Sequence, residues 1–191
     1  MSIKITDEMR KTALRESKKR NTYINHHFEL DYMAGEERDK ISFLGEFACK
    51  ECMGLDWQKG IRENYETADH GDILLPNATI DIKTETIPYE ILMRLVKGKI
   101  GDDEPYGRRL ITENQIPLLQ NYDYIVWGAF PRDLYNVWFS LGYLETDYIL
   151  NHYSVTTDTP FGKKYPVPCL NIHHSELKNI NGLIRIINDQ K

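Results

Sequence analysis

Between Ile41 and Leu55 the apolar residues fall at Ile41, Leu44, Phe47, Ala48, Cys52 and Leu55, the three-and-four spacing of a helix with one buried face. Gly54 suits its end, and Glu46 is left as an acid inside an otherwise packed helix. Upstream, Thr6-Asp7-Glu8 is a cap followed by early acids, and the polar run to Arg20 consists of good helix formers, which predicts a surface helix. Two short runs, DILL at 72–75 and TIDIK at 79–83, flank Pro76-Asn77-Ala78 and predict a hairpin. A two-residue turn there would need a positive φ that proline forbids, whereas a four-residue loop from Leu75 to Ala78 accepts Pro76 at its second position. That loop pairs Leu74 with Thr79 and Asp72 with Asp81. Asp72, Asp81 and Lys83 then share one face, and Ile73, Ile80 and Ile82 share the other. Opposed carboxylates destabilise a pair of strands, so this placement calls for a cation between them.

Pro88 opens a further helix through Met93 to Val96, followed by KGKIGDDEPYGRRL, read as a polar loop. YIVWGAF (124–130) and VWFSLGY (137–143) are strongly apolar strands joined by a turn at Pro131-Arg132-Asp133. The stretch 151–168, rich in Thr, Gly and Pro, reads as loop, and 170–187 as a short edge strand and a closing segment. The elements predict an α/β fold with a mixed central β-sheet flanked by helices. We expect one domain over 1–191 with a basic helical arm over about 1–40.

Composition changes this picture in two places. A net charge of −5 counts against a nucleic-acid partner, but among the first 20 residues Lys4, Arg10, Lys11, Arg15, Lys18, Lys19 and Arg20 outnumber Asp7, Glu8 and Glu16. The arm can therefore contact phosphates through Lys18, Lys19 and Arg20, although a solvated, salt-bridged helix face explains the same run. The three cysteines are too few and odd in number for a disulfide framework. Charges at the N-terminus and the lack of any run of roughly 20 apolar residues predict an intracellular, cytoplasmic protein without a membrane partner.

In chain order the informative pieces are Gly45-Glu46 on a helix, Asp72 in HGDILL, a hairpin turn, and Asp81-Ile82-Lys83 in TIDIKTE. This resembles the PD-(D/E)XK nuclease superfamily, whose pattern is an acid on a helix, an Asp, a hairpin, and then an acid, any residue and Lys. The likeness spans about Ile41 to Tyr143, including Asp123 before YIVWGAF, and Gly71 stands where the family name implies Pro. It implies a restriction-endonuclease-like core and a Mg²⁺- or Mn²⁺-dependent nuclease, acting on DNA by the family's habit, with a homodimer left open. Asp72 and Asp81 would ligate the metal with the Ile82 carbonyl, and Glu46 would complete a shell shared with water. Lys83 would orient the attacking water or offset charge in the transition state. A restriction, repair, recombination or phage-type role fits equally. The rivals are an inactive nucleic-acid-binding or structural module of the same fold and a hydrolase for another phosphate ester.

Other features carry less. Cys49-x-x-Cys52 could join Cys169 and His173 or His174 around zinc, but a pair inside a buried helix reads as small core thiols. His26-His27 and His173-His174 have no second ligand at a recognisable spacing, and His70 could edge the site. Arg108 and Arg109, with Tyr106, could meet a nucleic-acid backbone or a base, or be solvated loop residues. Glu85 and Gln115 could assist the metal site.

Overall fold

Thr6 accepts a hydrogen bond from Met9 N (3.1 Å) and starts the first helix, with acids in its first turn and Lys18, Lys19 and Arg20 in its last, as the helix dipole favours. The structure is a computed structural model that describes residues 1–23, 35–63, 65–66, 71–132 and 134–189. His26, His27, His70 and the Asp133 end of the expected turn lie outside the described residues. In chain order the elements are β1 (Ser2–Lys4), α1 (Asp7–Asn21), α2 (Gly35–Cys52), β2 (Ile73–Leu75), β3 (Ala78–Ile87), α3 (Tyr89–Val96) and β4 (Arg108–Thr112). After them come α4 (Ile116–Leu119), β5 (Tyr124–Pro131), β6 (Val137–Glu145), α5 (Thr146–His152), β7 (Thr156–Asp158), β8 (Lys164–His173) and α6 (Ile180–Asn188).

Five strands form a mixed sheet in the order β1-β6-β5-β3-β2, in which β3 and β5 run parallel and the other pairs antiparallel. One face buries Ile73, Ile80, Ile82 and Val126 against α1, α2 and α6, with Met9, Leu44, Phe47 and Leu183 at the centre. The mixed α/β arrangement agrees with expectation, but helices do not cover both faces alike. On the other face Ile125, Trp127 and Leu144 pack against Ile111, Leu170 and Ile172 of a second, antiparallel sheet in the order β4-β8-β7, while α3 covers Ile87 and Ala129.

The hairpin has the register derived from its turn. Leu74 pairs with Thr79 as expected, but the ladder continues to Leu75 opposite Ala78, so the loop is the two residues Pro76-Asn77 rather than four, closed without a positive φ at either. Asp123 pins the hairpin to β5, since its carboxylate accepts from Thr79 N (2.7 Å) and its own N–H donates to Thr79 O (2.8 Å).

The first helix buries Met9 and Ala13 fully and carries the basic run on its outer face. Two further expectations change. The tail of the expected loop, Arg108-Arg109-Leu110, is the start of β4, and the Thr- and Pro-rich stretch contains β7 and the first half of β8. The strand at 170–173 is central in its sheet rather than an edge. Among the described residues no helix is long and apolar enough to cross a membrane.

Candidate functional site

Gly45 sets the helix acid in place. A Cβ on this residue would stand 1.9 Å from Thr84 Oγ1 on β3, so only glycine lets α2 lie this close to the strand. Glu46, the next residue, therefore stands at the margin where β2 ends and β3 runs on. Asp72 closes that margin from the other strand. Its N–H donates to Ile80 O (2.9 Å) and its carboxylate Oδ2 accepts from Ile82 N (2.6 Å), so the side chain extends the ladder that β2 no longer supplies. In an extended strand the N–H and C=O of one residue project to the same edge, which turns the Ile82 carbonyl towards Asp72.

Asp81 and Lys83 project from β3 away from the Ile80 and Ile82 core face, and Lys83 Nζ lies 2.9 Å from Asp81 Oδ2. That oxygen is buried and has no well-directed hydrogen bond despite the ion pair. Glu46, Asp72, Asp81, Ile82 and Lys83 all line one cleft of about 950 Å³. Asp72 keeps some surface, yet protein atoms crowd its carboxylate. Its pKa is raised well above the ordinary range, first by desolvation, then by Glu46 and by Asp81, against the opposing pull of the Ile82 N–H and Lys83. Acidic neighbours thus outweigh Lys83 at Asp72 itself, while the arginines of the same cleft stand along its walls.

The donors are all oxygens, which suits a hard divalent cation. Among the described residues no group of three or more His, Cys, Asp or Glu side chains is placed to hold a metal ion. Magnesium takes one or two carboxylates and keeps several waters, so Asp72 and Asp81 with the Ile82 carbonyl are the groups that could hold it here.

The other candidate residues are placed unevenly. Lys18 is exposed, while Lys19 donates to Arg62 O (2.7 Å) and stands 5.7 Å from the centre of the Tyr65 ring. Arg20 lines the cleft, with Nε 4.0 Å from Asp39 Oδ1. Arg108 also lines it, bonded to Asp102 O and paired with Asp103 (2.7 Å). Arg109 differs from the expectation of a solvated or phosphate-contacting side chain. It is 0% exposed, points inward from β4, and holds Glu85 Oε2 at 2.6 Å and the Tyr106 carbonyl. Glu85 is thus engaged with Arg109, and burial still raises its pKa despite that partner. Gln115 lines the same cleft.

The cysteines are free and buried, Cys49 and Cys52 on α2 and Cys169 on β8, and burial pushes all three thiols up. His173 Nδ1 lies 3.4 Å from Glu176, and His174 is lowered by burial and by Arg109. Sequence reasoning missed Tyr65, whose hydroxyl donates to buried Glu16 (3.0 Å) and whose pKa is raised by burial, then by Glu16 and, more weakly, by Glu46. It also missed Arg38 and Arg62 in the cleft wall and buried Lys50, one turn beyond Glu46. The spacing of Met9, Thr12, Ala13 and Glu16 held a signal for the first of these, because it puts an acid on the buried stripe of α1. No protein-family model, curated protein or solved structure matches the chain.

Proposed function

We propose that this chain is a Mg²⁺-dependent nuclease with a restriction-endonuclease-like core of the PD-(D/E)XK type, hydrolysing phosphodiester bonds in DNA. The observation that carries the reading is the meeting of Glu46, Asp72, Asp81 and Lys83 in one cleft, with Asp72 raised by burial and then by its acidic neighbours. Such a carboxylate cluster costs stability unless something positive resides there, and clusters of this kind concentrate at working sites. Bound Mg²⁺ would offset the negative charge growing on the phosphate and acidify a water at neutral pH. Asp72, Asp81 and the Ile82 carbonyl would hold it. Lys83, already 2.9 Å from Asp81, would orient the attacking water or offset charge as the bond to the leaving oxygen breaks.

The test is a cleavage assay on circular, linear and single-stranded DNA with Mg²⁺, Mn²⁺ or EDTA. Metal-dependent cutting by the wild type, lost in Asp81→Ala and Lys83→Ala proteins that remain folded, is the expected result. A folded wild type that cuts nothing with either ion would move the chain to the inactive binding modules. Turnover of small phosphate esters with indifference to DNA would make it a different hydrolase.

A further inference from the structure

The cleft has two chemically unlike walls. Arg20 on α1, Arg38 on α2 and Arg62 in the segment after α2 line it from the helical side, on a molecule whose net charge is −5. Leu118 on α4, and Phe161 and Tyr165 from the β7–β8 hairpin, line it from the side of the second sheet. Phe161 is 46% exposed and Leu118 44%, so with Tyr165 this wall offers accessible apolar and aromatic surface to the cleft. The helical layer and the second sheet cover opposite faces of the central sheet, so these walls face each other across its open edge, with the carboxylates between them.

A double helix offers phosphates on its outside and keeps its base faces stacked within, so it would leave the apolar wall without a partner. An unpaired strand has phosphates along one side and exposed base faces along the other. We infer that the cleft takes an unpaired polynucleotide strand, with its backbone along Arg20, Arg38 and Arg62 and its bases stacked on Phe161 and Tyr165. This rests on the proposed nuclease reading for the bond that is cut, but recognition of the strand stands on the walls alone.

The test uses full-length Lys83→Ala protein and fluorescence anisotropy with labelled oligothymidylate, its RNA counterpart and a DNA duplex of equal length. The single strands are expected to bind more tightly than the duplex. Stacking is worth about 1–3 kcal/mol per base, so Phe161→Ala and Tyr165→Ala should each weaken single-strand binding by about 5- to 150-fold and leave duplex binding unchanged. Arg62→Gln should reduce the slope of log affinity on log salt by about 0.7. Thermal melting of each variant checks that it is folded, and exposed Phe161 is the variant least able to disturb the core. Equal affinity for DNA and RNA strands supports the inference, and a preference for one supports it and adds contact with the sugar. Duplex binding as tight as single-strand binding, no binding of any strand, or wild-type affinity in both aromatic variants would overturn it. Strand binding with these signatures in a wild type that cuts nothing would fail the nuclease reading alone. Cutting of duplex without preference for single strands would fail this inference alone.

Discussion

Lys83 and Asp72 make opposite predictions at the residue scale. Lys83 is partly exposed in the cleft and outside the core, so Lys83→Ala should leave folding intact and lower cleavage by about 10²- to 10⁴-fold, the range for a positioned proton-transfer or charge-offsetting group. Asp72 is a stability liability without a metal. Its folded pKa lies above the unfolded one, so the native state binds the extra proton; that contribution is present below the ordinary carboxylate range and lost as pH rises through the raised value. Asp72→Asn should therefore melt higher than wild type in EDTA at neutral pH, and the gap should close on acidification; equal melting at every pH would contradict it. Arg109 supplies a third prediction. Removing one partner of a buried pair costs about 3–5 kcal/mol, and Arg109→Ala should fall near the lower end because Glu85 keeps 32% side-chain exposure. Replacing both with Arg109→Met and Glu85→Leu should recover much of that loss in a denaturant titration, and no recovery would argue against an uncompensated charge as its cause.

At the scale of elements, the hairpin register was legible because the expected four-residue loop and the observed Pro76-Asn77 loop both set Leu74 opposite Thr79, whereas the loop length itself was misjudged. Thr6 marked α1 because its side chain caps the first turn. The second sheet was not legible. Pro166 and Pro168 make β8 read as loop, yet they lie where the β7–β8 register shifts, and the regular pairing of β8 with β4 begins at Cys169. In β4 the inward positions are Arg109 and Ile111, so an arginine occupies the place where alternation calls for an apolar residue. The meeting of Glu46, Asp72, Asp81 and Lys83 in one cleft was legible from order and face, whereas the arginine and aromatic walls come from segments distant in the chain and have no local pattern. Gly45 belongs to this scale as well. Gly45→Ala should cost about 1–3 kcal/mol by overpacking against Thr84 and should lower cleavage more than melting temperature alone explains, because it displaces Glu46. Wild-type melting and activity in that variant would count against the close approach of α2 as the positioning device.

For the whole molecule, the two sheets and the helical layer leave one edge of β3 uncovered beyond the end of β2, and the carboxylates gather there. The crowding of Asp72 by Glu46 and Asp81 at that edge is the property on which the proposed chemistry depends. Mn²⁺ titration followed by calorimetry and electron paramagnetic resonance tests it most directly, with wild type, Asp72→Asn and Asp81→Asn compared in buffers of different ionisation enthalpy. The expected result is saturable binding by the wild type, and loss of binding in both variants while they stay folded. Failure of the folded wild type to bind Mn²⁺, or undiminished binding by Asp81→Asn, would contradict the account.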